Sequence, residues 1–319
     1  MMFATRIADV LLVFLTVVAA VWLKAVRTVG IQNMPVSRRV LRRIGMLPIR
    51  DQYYEPLIDP RQLRFPLDRD RNLPGIDLNV AEQLEFLGRF TYQDELRKYP
   101  IDCTDGGREF YYHNPSFQSG DAEYYYSVLR LVKPKTVIEI GSGYSTLMAL
   151  NAKRQNMAED SAYRCDIVCV EPYEQPWLEA LDIKVVRKRV EEVGPELFAR
   201  LQQNDVLFID SSHVIRPQGD VLFELLELVP GLKPGVLVHV HDVFTPRDYL
   251  ASWVEDEMKL WNEQYLLEAF LTCNSRFRII GAVNFLMHHY PDLLMAKCPI
   301  LEKEMPNREP GSFWMTRSH

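Results

Sequence analysis

Two kinds of hydrophobic pattern divide this chain. From Ile7 to Leu23 the residues are apolar apart from Asp9 and Thr16, an unbroken run that predicts a helix able to span a bilayer, extended over Lys24 if its ammonium snorkels. Beyond Pro134, short β-type runs alternate with stretches of helical spacing, the pattern of a parallel sheet covered on both faces. The runs predict strands over 136–140, 167–170, 184–187, 206–209 and 236–241, with helices over 145–155, 175–180, 193–202 and 219–228 between them. A long helix over 252–274, a sixth strand over 277–286 and a closing edge strand over 312–316 complete the pattern. Upstream, Leu84, Leu87 and Phe90 recur at helical spacing, and residues 121–132 read as a helix ended by Lys133 and Pro134. Between these, Gly106, Gly107, Pro115 and Gly120 break regular structure.

Charge orients the apolar run. Arg6 precedes it, whereas Lys24, Arg27, Arg38, Arg39, Arg42 and Arg43 follow, so the positive-inside rule predicts a single-pass anchor with the downstream chain in the cytoplasm. Residues 37–45 read as a short helix with Arg38, Arg39, Arg42 and Arg43 on one face and Val40, Leu41 and Ile44 on the other. It is either an amphipathic element drawn to anionic lipid or a solvated basic linker. Residues 46–75, rich in Pro, Arg and Asp, read as an irregular arm. The expected organisation is therefore an anchor over 1–27, a juxtamembrane basic segment and arm over 28–76, and one domain over 77–319.

Composition narrows the partners. Of 319 residues, 47% are hydrophobic and 25% charged, enough chain for one large domain or two small ones. A net charge of -6 and an isoelectric point near 5.7 exclude nucleic acid as the main partner, because phosphate binding shows as a basic surplus. Cys103, Cys165, Cys169, Cys273 and Cys298 are odd in number and widely spaced, with neither a disulfide framework nor a zinc pattern, so a reducing compartment is expected.

Candidate chemistry concentrates where the first strand of the alternating region ends. Val137 to Thr146 runs from a strand through a glycine turn into a helix. Lacking β-carbons, Gly141 and Gly143 let the chain turn tightly and let a ligand reach the backbone, while Ser145 and Thr146 can cap the helix whose first amides are free. A dinucleotide would call for a third glycine where Thr146 stands, and Glu139, two residues before the first glycine, would repel its pyrophosphate. The same carboxylate attracts a cationic amino-acid end. Glu171, closing the second strand, is placed to accept hydrogen bonds from ribose hydroxyls. These features favour S-adenosylmethionine over a nicotinamide cofactor; a glycine turn with no ligand is the bland alternative.

The stretch from about Gly120 to Phe277 resembles the class I S-adenosylmethionine-dependent methyltransferases, particularly the bacterial methyltransferase-24-like group. The likeness is carried by Gly120-Asp121-Ala122-Glu123, Glu139 to Thr146, Glu171-Pro172, Asp210 to His213, His239 to Phe244 and Trp261 to Tyr265. It implies an α/β protein with a Rossmann-like seven-stranded, mostly parallel sheet, helices on both faces and an antiparallel last strand, which suits 312–316. It also implies that Glu139, Gly141, Ser142, Gly143, Tyr144, Ser145, Thr146, Glu171, Asp210 and Ser211 hold the cofactor.

A second constellation gathers at the same strand ends: Asp210 after the fourth strand, His241 and Asp242 after the fifth, and His213 one short turn beyond Asp210. Three readings are open. In the first, Asp210, His241 and Asp242 ligate a divalent metal ion that orients and acidifies an acceptor hydroxyl. Some O-methyltransferases resembling this fold hold magnesium with oxygen ligands there; His241 departs from that pattern and turns the preference toward manganese, iron or zinc. In the second, His213 or His241 acts as a general base without metal, beside Asp210. In the third, Asp210 caps a helix and the histidines satisfy buried carbonyls. His239 is expected in the core, and His288 and His289 in a loop. Gly120 and Asp121, flanked by Phe117 and Tyr124, are expected to form a lid. Tyr111, Tyr112, Tyr124, Tyr125, Tyr126, Trp261 and Tyr265 are expected to pack.

The sequence thus points to a membrane-anchored methyltransferase acting on an oxygen of a small, glycan or lipid-linked acceptor near the membrane, with no nucleic acid partner. Two alternatives accompany it. One is an iron-dependent hydroxylase built on two histidines and a carboxylate; the other is a membrane-tethered module that binds the cofactor without turnover.

Overall fold

The computed structural model describes residues 2–104, 106 and 109–318, residues 2–4 by their backbone alone. Gly107, one of the expected turn glycines, lies outside them. The chain forms two compact units, Met1–Pro66 and Leu67–His319.

In the first unit the apolar run folds as α1 (Met2–Val29). Within Thr5–Val29 an 18-residue stretch has a mean hydropathy of 2.2 and is entirely unburied, so the helix is long and apolar enough to cross a membrane, a test that a signal sequence also passes. Near its end Val26 is fully buried, and Arg27 and Arg50 each reach the Glu55 carboxylate at 3.1 Å. The basic stretch forms α2 (Pro35–Ile44). It begins two residues before its expected start, because Pro35 at the first turn carries a preset φ and forgoes only an N–H that no helix start uses. Gly45 (φ 79) ends it in the left-handed region.

The second unit takes in residues 67–76, expected in the arm: Arg71 ion-pairs with Glu268 and Asp248, and the Cys273 amide donates to the Gly75 carbonyl at 2.7 Å. Helices α3 (Val80–Gly88), α4 (Gln93–Leu96) and α5 (Asp121–Val132) precede the sheet. Its strands are β1 (Thr136–Ile140), β2 (Asp166–Val170), β3 (Lys184–Val186), β4 (Val206–Ile209), β5 (Leu237–Val240), β6 (Phe277–Ala282) and β7 (Phe313–Arg317), and α6 (Tyr144–Glu159) follows β1. They pair in the order β3-β2-β1-β4-β5-β7-β6, parallel from β3 to β5, with β7 antiparallel to both its neighbours. This is the Rossmann-like methyltransferase fold. The central strands are buried along their length, which accounts for their continuous apolar sequences.

One row of side chains crosses the sheet. Cys169, Glu139, Phe208, His239 and Trp314 are successive register partners from β2 to β7. From α5, Tyr125 lies over this row, its ring centroid 4.9 Å from that of Phe208 and 5.8 Å from that of Trp314. Tyr112, Tyr124, Tyr125 and Tyr126 are all fully buried, as packing residues should be.

Five predicted elements differ, two of them helices that are shorter or tighter than expected: 193–202 is α-helical at Glu196–Ala199, and 175–180 is a 3-10 turn over Pro176–Ala180. The sixth strand ends at Ala282, and Val283–His289 is helical. Residues 219–228 form an α-turn over Asp220–Phe223 that widens into a π-helix over Glu224–Leu228. The long helix over 252–274 is broken into a π-turn at Ser252–Asp256 and a helix at Glu263–Leu271. Nothing in its sequence warned of the break, since neither Gly nor Pro occurs there. It is made by Met258, which takes φ 51, and by Lys259, whose ammonium sits 3.9 Å from the Trp253 ring and 4.3 Å from the Trp261 ring.

Gly281 on β6 tests the packing of α5 against the sheet. A β-carbon there would stand 2.2 Å from the Tyr124 hydroxyl oxygen, which donates to the Ile280 carbonyl at 3.1 Å. Gly281→Ala should lower the unfolding free energy by about 1–3 kcal/mol in a denaturant titration. Adding Tyr124→Phe should restore part of the loss; an unshifted midpoint in the single variant would mean that the contact is not tight.

Candidate active site

The glycine turn is fastened from both sides. The Gly141 amide donates to the Val170 carbonyl of β2 at 3.0 Å, and the Asp210 amide beyond β4 donates to the Ile140 carbonyl at 2.8 Å. Gly141 takes φ 76, and a β-carbon on it would lie 1.8 Å from the Asp210 carbonyl oxygen, so no other residue fits. At the start of α6 the Gly143 amide donates to Thr146 Oγ1 at 3.2 Å.

Glu139 stands beneath this turn. It is fully buried and accepts from Thr146 Oγ1 at 2.5 Å and from the Tyr125 hydroxyl at 2.9 Å, with Cys169 Sγ at 3.6 Å. Burial, opposed by those hydrogen bonds, pushes its pKa up to about 7. The expected contact with a cofactor is therefore revised: Glu139 belongs to the row under Tyr125 and supports the turn from below. Thr146, also fully buried, links that carboxylate to the turn rather than to the cavity.

Above the turn a cavity of about 820 Å³ opens at the carboxyl ends of β1, β2 and β4. Its wall includes Gly141, Ser142, Gly143, Tyr144, Ser145, Glu171, Asp210 and Ser211, all expected there. Glu171 Oε1 accepts from the Tyr173 and Glu174 amides, both at 2.9 Å, while Oε2 accepts a long bond from the Ser142 amide at 3.4 Å and no other among the described residues. One carboxylate oxygen thus fixes the loop and the other retains acceptor capacity toward the cavity.

Asp210 and His213 line the same cavity. His213 Nε2 lies 3.2 Å from Asp210 Oδ1 and 3.5 Å from Asp242 Oδ2, and Nδ1 lies 2.8 Å from Glu263 Oε2. Burial alone would lower the imidazole pKa; Asp210 and Glu263, hydrogen-bonded to its two nitrogens, reverse this and hold it well above the ordinary value. Against the opposing effect of burial, the charge of His241 and the hydrogen bond and charge of His213 hold the Asp210 carboxyl below its ordinary range. His213 (φ 59) and Asp242 (φ 57) both occupy the left-handed region, at about 1–2 kcal/mol each for a non-glycine residue. Strain of this kind collects where side-chain placement matters.

His241 is a correction. Among the described residues, the group whose ligand atoms could converge on one ion is Asp210, His213 and Asp242, all within 4.8 Å of one another. His241, predicted as a ligand and as a base, is buried beside Phe117 and Phe208, with ring centroids 5.3 and 6.3 Å away, and Nδ1 has no partner. It shares a strand face with His239, and period-two alternation keeps both in the aromatic layer. The two-histidine, one-carboxylate arrangement is accordingly not formed. The donor set fits a divalent ion only if His213 first gives up its Nε2 proton.

The expected lid is also corrected. The Gly120 amide donates to Glu123 at 3.0 Å and Asp121 accepts from the Ser312 amide at 2.7 Å, which pins both residues into the body; Phe117 alone of that group lines the cavity. Two site residues were missed. Trp261, read as packing, lines the cavity with its ring centroid 4.2 Å from that of His213. Glu263 was not singled out, although it lies in the Trp261–Tyr265 stretch that carries the family likeness. The helix break delivers it, because the Asn262 and Glu263 amides donate to the His213 carbonyl at 3.0 and 3.2 Å.

Residues 138–243 match the family model described as Methyltransf_24, methyltransferase domain. An uncharacterised protein of Archaeoglobus fulgidus is 26% identical over 175 residues, covering 51% of this chain and 77% of the relative. Among solved structures, the O-methyltransferase TomG of Streptomyces achromogenes, in complex with SAM, is 14% identical with a TM-score of 0.36, covering 74% of this chain and 90% of its own. An O-methyltransferase of Bacillus cereus in complex with SAH is 11% identical with a TM-score of 0.35, covering 75% and 91%. Likeness at that level identifies neither substrate nor cofactor for this chain. By the family match over 138–243, the strand order and the glycine turn, this part of the chain is similar to the methyltransferase domains of the class I type.

Proposed function

We propose that the protein is an S-adenosylmethionine-dependent methyltransferase that methylates a hydroxyl oxygen on a small, glycan or lipid-linked acceptor at the membrane. One observation carries the reading: the glycine-turn wall with Glu171 and the Asp210–His213 cluster line a single cavity. Its volume lies in the range that a drug-sized ligand occupies. When bound, S-adenosylmethionine supplies a methyl carbon made electrophilic by its sulfonium.

The lining supports a cationic ligand. Glu171, Glu174, Glu191, Asp210 and Asp220 outnumber Arg189, Arg216 and His213. In this reading Gly141 to Ser145 offer backbone to the ligand, and Glu171 Oε2 accepts from the ribose hydroxyls. Trp261 and Phe117 exclude water. Once it has lost its Nε2 proton, His213 takes one from the acceptor hydroxyl, while Glu263 keeps the ring oriented through Nδ1. Holding the reactants in line supplies much of the acceleration. The candidate span in α1, followed by an excess of arginine, supports a body on the cytoplasmic side of the membrane.

Calorimetry with S-adenosylmethionine on the full chain tests the binding half. Glu171→Ala should weaken binding roughly 10- to 100-fold, the worth of one or two hydrogen bonds to a charged group. Glu139→Gln should retain most of the affinity because residue 139 does not line the cavity. Equal losses in both variants would reverse these assignments, and binding with no labelled product from any acceptor would favour a module without turnover.

The pH dependence tests the base. A histidine whose pKa is raised in the fold contributes stability that is complete below its ordinary value of 6.5 and is lost as pH climbs through the raised one. Activity should run the other way, with kcat/KM rising about tenfold per pH unit through neutrality as the free imidazole appears. A flat profile would remove His213 from that role.

The metal reading is separated by chelation. Because His213 is held protonated, activity is expected to survive exhaustive EDTA treatment. Loss that an added divalent ion restores would instead place a metal at Asp210, His213 and Asp242.

A further inference from the structure

The geometry points to α2 as a second membrane contact: we propose that it lies flat on an anionic phospholipid surface, with its apolar arc among the upper acyl chains and its arginines on headgroup phosphates. Nearness to the bilayer is the one part that rests on α1 being a span.

Successive helical residues advance by about 100°. Val36, Val40 and Ile44 therefore fall on one arc, with Leu41 beyond Ser37 at its edge, and Arg38, Arg42, Arg39 and Arg43 fill the opposite arc, where Pro35 is the one other residue. Among the described residues, Leu41 apart, both arcs are left uncovered. Val36, Val40 and Ile44 are 72%, 50% and 68% exposed, and Leu41 is the helix's single buried residue. Among the described residues, no ion pair or hydrogen bond reaches any of the four guanidinium groups. A short helix that leaves a full apolar arc in water is unfavourable unless something covers it.

Charge and reach select the occupant. An apolar protein groove would satisfy one arc and an acidic protein surface the other; the boundary of a bilayer with anionic lipids satisfies both at once. Five residues separate Val29 from Pro35, six steps that span at most about 20 Å. Wherever α1 leaves the bilayer, α2 therefore begins within reach of the headgroups.

The test is an environment-sensitive fluorophore on the full chain, in a background with the exposed Cys103 and Cys273 changed to Ser. Separate labels at Val40→Cys, Arg39→Cys and Leu15→Cys are compared in vesicles of phosphatidylcholine alone and of phosphatidylcholine with phosphatidylglycerol. The Val40 label should shift to the blue and be quenched by lipid-borne quenchers in the anionic vesicles, the Arg39 label much less. The shift should be lost with Arg38, Arg39, Arg42 and Arg43 all changed to Gln, or in about 1 M salt, where screening acts within about 3 Å. A Val40 label left in water while the Leu15 label is quenched would overturn the α2 contact and keep the anchor. A quenched Val40 label with Leu15 in water would keep the contact and remove the span. Shielding of Val40 without vesicles, rising with protein concentration, would assign the face to a second copy of the chain and overturn the proposal.

Discussion

The site depends on one close approach. The Asp210 carbonyl occupies the space where a side chain on residue 141 would begin, so the rim of β4 can fold against the turn after β1. That contact is doubly fastened, by the Gly141 amide to β2 and by the Asp210 amide to β1. Because the sheet reverses its winding between β1 and β4, a crevice opens at their carboxyl ends, and the missing β-carbon puts both walls within one ligand's width. A methyl group on Gly141 would push the acid cluster away from the glycine wall before it touched any ligand.

Charge inside that crevice is balanced by a proton. Asp210, Asp242 and Glu263 surround one imidazole, and in a medium of low polarity three carboxylates without a cation would be held at a cost of several kcal/mol each. The proton on His213 lowers this cost, which explains why burial fails to depress its pKa. Left-handed backbone at His213 and Asp242 is tolerable for the same reason: roughly 1–2 kcal/mol per residue is small beside the charge interactions it permits.

Much of this was legible in the chain. Strands β1, β2 and β4 and the helices after β1 and before it follow from apolar runs and their punctuation, and the turn wall from Gly141 to Ser145 follows from the glycines. What misled was side-chain direction. Glu139 and Glu171 look equivalent as acids near strand ends, yet Glu139 lies within β1, in the row with Phe208 and His239, whereas Glu171 lies one residue past β2 and meets the cavity. In the metal set His241 stood in place of His213 for a related reason, since alternation holds the first in the aromatic layer and a left-handed residue turns the second outward, and no sequence rule announces a non-glycine αL position. Glu263 was hidden by a periodic pattern that continues through a break, where Lys259 sits against Trp253 and Trp261 and the following residues make long-range contacts with His213.

That break has a consequence for how the site would work. Within the proposed function, a positive ligand beside Asp210 takes over part of the attraction that keeps the Nε2 proton on His213. Ligand binding and proton release are then linked, the imidazole becoming a base more readily in the loaded cavity than in the empty one. Glu263 is what lets this happen without loss of geometry: bonded at Nδ1, it keeps the ring in place when Nε2 is bare, and its backbone amide holds the His213 carbonyl at the same time. A continuous helix from 252 to 274 could not have brought Glu263 there, so the interruption that the sequence concealed is what gives His213 a fixed orientation in both protonation states.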